Sequence, residues 1–423
     1  MNKTIKNTIE KIRRGEVPEG YKKTVIGIVP QSWQTVQFKA LFSRISRKNE
    51  EGNTNVLTIS AQHGLINQEE FFNKSVASED KSNYYLLHRG DFAYNKSYSN
   101  GYPFGALKQL TRYEKGVVSP LYICFSKTEE NQYPLFYSHY FEGGLMNHEI
   151  HAFAQEGARN HGLLNISVDD FFNSIILLPP FAEQEKIADI LTASDNVIAL
   201  KEKRIVEKQR QKKYLMQQLL SGRERLAGFS GEWESVKLGE ILKERKKYSK
   251  KDQEYPHVTL STGGIYLKSS RYDRDHLVKS EEKEYKITHL NDICYNPANL
   301  KFGVICLNKF GSAIFSPIYA TLEINTNMSV IFISQLLTRP DFINAALKYE
   351  EGTVYERMAV KTSDFLRLEV KLPGYKEQEA IAAILSLADD EIELLQKDLA
   401  LEKRKKKALM KLLLTGAVQV NVS

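Results

Sequence analysis

The stretch LPPFAEQEKIADIL, Leu178–Leu191, returns 194 residues later as LPGYKEQEAIAAIL, Leu372–Leu385. Without a gap the match runs on to Gly222 and Gly416, and 21 of its 45 positions are identical. Both copies close alike, with LMQQLLSG at Leu215–Gly222 and LMKLLLTG at Leu409–Gly416. Residues 182–221 and 375–415 contain neither Gly nor Pro. Proline is tolerated just before a first helical turn and glycine is favoured just after a last one. Each copy is therefore predicted to be one helix of about 40 residues, about 60 Å long at 1.5 Å per residue.

Each helix carries an apolar stripe at three- and four-residue spacing. The first runs through Ile187, Leu191, Ile198, Ile205, Leu215 and Leu219, interrupted by Ser194, Lys201, Lys208 and Lys212. The second runs through Ile381, Leu385, Ile392, Leu395, Leu399, Leu409 and Leu413, interrupted by Ala388, Glu402 and Lys406. This is a coiled-coil seam with polar breaks. Both helices begin acidic (Glu183, Glu185, Asp189, Asp195; Glu377, Glu379, Asp389, Asp390, Glu391) and end basic (Lys208, Arg210, Lys212, Lys213; Lys403–Lys407). Part of that gradient complements the helix dipole. A parallel pair would set like charges together, whereas an antiparallel pair sets acid beside base at both ends. Antiparallel pairing is the prediction. The basic ends are then open to two readings, charge pairing within the coiled coil or DNA-binding patches.

The segments before the helices also repeat. Gly90-Asp91-Phe92-Ala93-Tyr94-Asn95 answers Asn291-Asp292-Ile293-Cys294-Tyr295-Asn296. Phe104-Gly105 answers Phe302-Gly303, Ser119-Pro120 answers Ser316-Pro317, Glu156-Gly157 answers Glu351-Gly352, and Asp170-Phe171 answers Asp364-Phe365. The only tryptophans, Trp33 and Trp233, stand 200 apart. At the N-terminus, Ile9–Gly15 resembles the end of a long helix with its closing glycine, which would make the repeat circular. The fold class is α+β: two similar α/β domains separated by two long antiparallel coiled-coil helices, with pseudo-two-fold, circular symmetry. The expected division is 1–19 (the segment completing the circle), 20–178 (first domain), 179–226 (first helix), 227–372 (second domain), 373–416 (second helix) and 417–423 (tail).

The 423 residues carry 59 Lys+Arg against 52 Asp+Glu, a net charge of +7. By blocks the charge is +7 over 1–50, −8 over 51–200, +8 over 201–250, −5 over 251–400 and +5 over 401–423, a wave with the period of the repeat. An aromatic content of 10% with 12 Pro excludes a disordered or collagen-like chain. No apolar run approaches the roughly 18 residues of a membrane span. The opening MNKTIKNTIEKIRRGE has no apolar core, so no signal peptide is expected and the cytoplasm is the default. Three cysteines, Cys124, Cys294 and Cys306, fit neither a disulfide scaffold nor a zinc spacing.

The P-x-x-x-E-Q-x-x-I-A-x-I-L helix ending in L-M-x-x-L-L-x-G, present twice with a variable domain before each copy, resembles the specificity subunit of type I restriction–modification systems. The resemblance covers about residues 20–416, with specific motifs in the helices and sparse ones in the domains. It implies that each variable domain is a target recognition domain contacting one half of a bipartite, asymmetric double-stranded DNA site. It implies that the helices set the spacer and dock two modification (methyltransferase) subunits, which bind S-adenosylmethionine and methylate adenine N6. Restriction subunits, using ATP and Mg to translocate and cut DNA in host defence, would complete the complex. The specificity subunit itself would have no catalytic centre, cofactor, metal or membrane partner.

The motifs in the chain agree with a non-catalytic role. An adenine methyltransferase needs a [DNS]-P-P-[YFW] loop. Leu178-Pro179-Pro180-Phe181 has Leu at the polar position, and its partner Leu372-Pro373-Gly374-Tyr375 loses the second Pro. No G-x-x-x-x-G-K-[ST] phosphate loop occurs, and His139, His148, His151 and His161 lack an H-E-x-x-H pattern. A coiled-coil adaptor and a stand-alone DNA-binding regulator are the alternatives.

Sequence is read through base edges and affinity comes through phosphates. Arg suits guanine and Asn suits adenine. In the first domain the candidates are Asn95, Lys96, Ser97, Tyr98 and Asn100, then Arg159 and Asn160 after the shared Glu-Gly. In the second they are Asn296, Asn299 and Lys301, then Tyr355 and Arg357. The framework residues match between copies while the loops differ, as expected of two domains reading different half-sites; unselected loop drift would look the same. Tyr94, Tyr295, Phe104 and Phe302 are expected in the core. Lys22, Lys23, Lys39 and Lys243–Lys251 are placed to meet phosphates.

Overall fold

Two helices of 39 residues, Phe181–Leu219 and Tyr375–Leu413, organise the chain. The computed structural model describes residues 3–60, 63–72, 80–99, 101–128, 132–156, 164–250, 254–268, 284–350 and 358–422. It divides into two compact units, residues 1–201 with 398–423, and residues 202–397. Each unit thus holds a part of both long helices.

In the first unit a four-stranded antiparallel sheet runs in the order Phe42–Arg44, Ile123–Lys127, Phe92–Asn95, Ala106–Gln109. Side chains alternate along a strand, and here both faces are covered. Phe92, Tyr94 and Phe125 join one cluster, Ala93 and Cys124 another with Leu57, Ile59, Leu87 and Val118. The first cluster is strongly aromatic. Phe92 and Phe125 lie parallel at 5.3 Å, and Phe38 meets Phe125 edge-on at 5.0 Å. Ile187 and Leu191 of the first long helix, Met410 and Leu413 of the second, and Leu414 just beyond it complete the cluster.

The second unit repeats this plan. Its sheet runs Leu242–Glu244, Ala320–Ile324, Ile293–Tyr295, Ile305–Leu307. Ile293, Tyr295 and Leu322 face one cluster, and Cys294 faces another with Val258, Leu260 and Phe315. Here Leu219 of the first long helix with Leu220 just beyond it, and Ile381, Ala382 and Leu385 of the second, join the core.

Ion pairs fix the direction of the helices within each unit. In the first, Asp195 pairs with Lys406 and Lys201 with Asp398. In the second, Lys208 meets Glu391 at 2.8 Å and Lys212 pairs with Asp389. In both, one residue number rises as its partner's falls, so the helices run antiparallel. Of the basic ends, Lys208, Lys212 and Lys406 are thus charge-paired. Their partners are two-fifths exposed or more, so each pair contributes at most about 1 kcal/mol. The stripe residues are sheltered throughout. Ile187, Leu191, Ile205, Leu219, Ile381, Leu385, Ile392 and Leu413 are buried, and Ile198, Leu215, Leu395, Leu399 and Leu409 are half-buried.

The tryptophans mark the helix ends. Gly222, at φ 70°, lies against Trp233, where a Cβ would stand 3.3 Å from the indole. In the first unit Gly416, at φ 68°, lies against Trp33, and a Cβ there would collide with Pro30. The helix end that seats on Trp33 is therefore that of the second long helix. Gly15 does not take that place: nothing lies within 4 Å of where its Cβ would be. The N-terminal segment forms its own helix, Lys3–Arg13, with Ile9 buried.

Candidate nucleic-acid interface

The candidate loops leave the sheets at equivalent strand ends. Tyr94 and Tyr295 are wholly buried there, and each stacks on the phenylalanine of the shared Asp-Phe pair. Tyr94 lies 5.2 Å from Phe171 and Tyr295 lies 4.7 Å from Phe365. Burial pushes both phenols well above their ordinary pKa, so they stay protonated donors. Tyr94 donates to the Phe104 carbonyl at 2.6 Å and Tyr295 to the Val360 carbonyl at 3.2 Å. One end of each loop is thereby fastened to the core.

The two asparagines that follow behave alike. Asn95 Oδ1 accepts from the Ser97 N–H at 3.0 Å, and Asn296 Oδ1 accepts from the Ala298 N–H at 3.1 Å. Asn296 is only 7% exposed and caps the short 3-10 helix Pro297–Phe302. Its amide holds the loop and does not face outward, which corrects its place among the candidate base-reading groups. An amide followed by Pro is visible in sequence, but its burial is not.

The remaining candidates are placed as follows. Lys96 and Ser97 are half-buried, and the Lys96 carbonyl accepts from the Leu164 N–H at 3.0 Å. Tyr98 is 62% exposed. Asn299 is half-buried and Lys301 exposed. Asn100, Arg159, Asn160, Tyr355 and Arg357 lie outside the described residues. The two Phe-Gly positions separate. Phe104 is half-buried against the first core, whereas Phe302 is 65% exposed, contrary to the expectation of a core residue. The reason is local: on the tight 3-10 turn the inward position belongs to Leu300, which is fully buried.

Of the basic residues near the domain starts, Lys22 donates to the Gln31 carbonyl at 2.9 Å and Lys39 to Asn173 Oδ1 at 2.8 Å. Lys23, Lys243, Lys246, Lys247 and Lys250 are exposed, while Lys251 lies outside the described residues.

One framework element escaped the sequence reading. Arg47 Nη2 donates to Asp91 Oδ2 at 2.6 Å, and Arg245 holds Asp292 through Nε at 2.9 Å and Nη2 at 3.0 Å. Each aspartate also accepts a backbone N–H, from His88 at 2.8 Å and from His289 at 2.7 Å. Both aspartates open the strand that ends in a candidate loop. The aspartates were inside the matched stretch, and the arginines stand 198 apart, within the drift of the repeat. Among the described residues no group of three His, Cys, Asp or Glu side chains is placed to hold a metal ion, and no helix is long and apolar enough to cross a membrane.

Known proteins share this plan. The family model for the type I restriction modification DNA specificity domain matches twice, over residues 30–208 and 230–403. The MjaX specificity subunit of a type I restriction enzyme from Methanocaldococcus jannaschii is 23% identical over 434 residues, 95% of this chain and 97% of its own. The MjaVIII specificity subunit from the same organism is 24% identical over 290 residues, 64% of this chain and 68% of its own. Among solved structures, a chain of a type I R-M system described for its complex assembly and conformational transition aligns with a TM-score of 0.58. It is 15% identical and covers 92% of this chain and 99% of its own. The type I restriction–modification S subunit from M. genitalium aligns with a TM-score of 0.51 at 15% identity, covering 90% and 96%.

Proposed function

Since the chain belongs to the type I restriction–modification DNA specificity family, in two copies, we propose that its two domains read different halves of one bipartite, asymmetric DNA site. One observation carries this reading. The two units build their reading loops on the same scaffold, Arg–Asp pair, buried Tyr on Phe and capping Asn, yet offer different side chains on it. The first presents Lys96, Ser97 and Tyr98, the second Asn299, Lys301 and Phe302. A shared framework with different loop chemistry suits one task performed on two sequences.

In this reading residues 20–178 and 227–372 are the recognition domains, 179–226 and 373–416 are the spacer helices, 1–19 is the N-terminal segment completing the circular repeat and 417–423 a tail. The helices set the distance between the half-sites and dock two methyltransferase subunits. The chain contributes no catalytic group. S-adenosylmethionine binding and adenine methylation belong to those partners, and ATP- and Mg-dependent translocation and cleavage belong to restriction subunits. The complex works in the cytoplasm.

The test is to map methylated adenines in a host carrying this chain and its methyltransferase partner. A single bipartite motif with a fixed spacer is the expected result. A continuous motif, or methylation unchanged when the chain is deleted, overturns the reading.

A further inference from the structure

We propose that Phe302 is a base-stacking residue, its ring lying against a base of the half-site read by the second recognition domain. The inference rests on the DNA-recognition reading and goes beyond it by naming a mode of contact.

Phe302 ends the 3-10 helix Pro297–Phe302, and the residue is 65% exposed. The turn that holds it out is firmly anchored. Leu300 is fully buried, Asn296 caps the start, and Gly303 closes the end at φ 75° with its N–H on the Leu300 carbonyl at 2.8 Å. Helix Pro340–Ala346 packs against the same turn, and the Val360 N–H donates to the Pro297 carbonyl at 3.2 Å. A large apolar ring kept in water by a rigid support is a preorganised contact, since it loses little conformational freedom on binding. Lys301 lies beside it, its Nζ 5.5 Å from the ring centroid. A cation next to an exposed ring suits a polyanion, and in duplex DNA, where base faces are covered by their neighbours, an apolar ring reaches a base face by wedging into a base step.

The counterpart position argues for a specific use. Phe104 stands before the equivalent glycine, but its ring packs into the first core and meets His151 edge-on at 5.5 Å. The Phe-Gly pair therefore does not require exposure. At the Phe-Gly position exposure belongs to the second domain alone, so the contact proposed for Phe302 has no counterpart at Phe104.

The experiment uses the full chain in complex with its methyltransferase partner. The probes are a duplex carrying the motif mapped in the host and two versions with one or the other half scrambled. Phe302→Ala is expected to weaken binding of the intact duplex about tenfold, the low end of one base–aromatic contact, because the wedge must also unstack the step it enters. It should leave binding unchanged on the duplex whose second-domain half is scrambled. Phe302→Trp is expected to retain binding, with its added emission quenched by the intact duplex but not by that scrambled one. Full affinity of Phe302→Ala, or an unquenched Trp in a complex that binds, overturns the proposal. If the unsubstituted complex fails to distinguish intact from scrambled duplexes, the recognition reading falls instead, and that outcome is separately visible.

Discussion

Gln184 Oε1 accepts a hydrogen bond from the Tyr133 N–H at 3.0 Å, while its Nε2 donates to the Pro179 carbonyl at 2.8 Å. Gln378 repeats both contacts, accepting from the Ser329 N–H at 3.0 Å and donating to the Pro373 carbonyl at 2.9 Å. This is the physical content of the repeated Glu-Gln. The amide closes the first turn of the long helix and clamps the start of a helix in the domain before it, Pro134–Glu142 or Val330–Leu337. Both glutamines are almost wholly buried. Only a side chain with a donor and an acceptor on one planar group satisfies both backbone atoms.

Gln184→Met or Gln378→Met keeps the volume and removes both partners. Each leaves a sheltered N–H and C=O unsatisfied, so each variant is expected to lose about 1–3 kcal/mol or more of folding stability. Chemical denaturation measures it. A loss within error of zero would show that the clamp is incidental.

The neighbouring glutamates are used differently. Glu183 accepts from Trp33 Nε1 at 2.9 Å. Glu377 instead takes both Nε and Nη2 of Arg225 at 2.7 Å, and that guanidinium lies 5.8 Å from the Trp233 ring. The Glu377 side chain is 4% exposed and the Arg225 side chain 27%. The two deletions are therefore unequal. Glu377→Ala lets Arg225 turn to water, whereas Arg225→Ala strands a buried carboxylate. Arg225→Ala is predicted to cost more, by about 1–2 kcal/mol, since an uncompensated buried charge is the expensive partner. Equal costs in thermal or chemical unfolding would refute that asymmetry.

The long helices, their seams and their direction were legible in sequence because period, punctuation and charge gradient are local and were written twice. The domain scaffold was partly legible. Tyr94, Tyr295, Asn95 and Asn296 stood in the matched stretches, but only packing distinguishes an Asn that caps a turn from one that meets a base. Arg47 and Arg245 were missed because each reaches its aspartate across more than 40 residues of chain. Phe302 was misplaced because a Phe-Gly pair looks the same whether its ring turns inward, as in Phe104, or outward. The Trp33–Gly416 contact joins residues near opposite ends of the chain, and no local pattern announces it.

His139 links the first unit to pH. It is 8% exposed, its Nε2 is 3.1 Å from Thr192 Oγ1, and burial together with nearby Lys406 lowers its pKa, against smaller opposing effects of Asp195 and Glu142. The unfolded chain takes up the proton near pH 6.5. The folded unit resists it. The stability from a neutral His139 is therefore present above about pH 6.5 and is lost as pH falls through the lowered folded value. His139→Gln should show a shallower loss of stability between pH 7 and 5 than the unsubstituted chain. Identical slopes in denaturation series across that range would remove His139 from the account.

Lys301 and Asn299 should separate in their effects on DNA. Lys301 is exposed and cationic, so Lys301→Ala is expected to weaken binding alike on all sequences and to lower the salt slope by about one. Asn299→Ala should weaken binding by about 1–3 kcal/mol on duplexes with the second domain's half-site and leave the salt slope unchanged. Titrations at several salt concentrations read both. A sequence-specific loss for Lys301→Ala would move it from phosphate to base contact.

The helices make the strongest demand on the proposed function. If they set the spacer, lengthening both should lengthen the DNA motif. Four residues inserted between Lys201 and Lys208, matched by four between Glu391 and Asp398, leave the Lys201–Asp398 and Lys208–Glu391 pairs each on their own side of the insertion. A four-residue insertion is a stutter, which a coiled coil absorbs by local unwinding. It adds about 6 Å of helix, close to two base pairs at about 3.4 Å each. Methylation mapping should then find both half-sites unchanged in sequence and moved apart by one or two base pairs. An insertion in one helix alone breaks the register of the pairs and should cost stability before it yields any defined spacer. Unchanged spacing from the matched insertion, with methylation still active, would show that the distance between half-sites is fixed by something other than these helices.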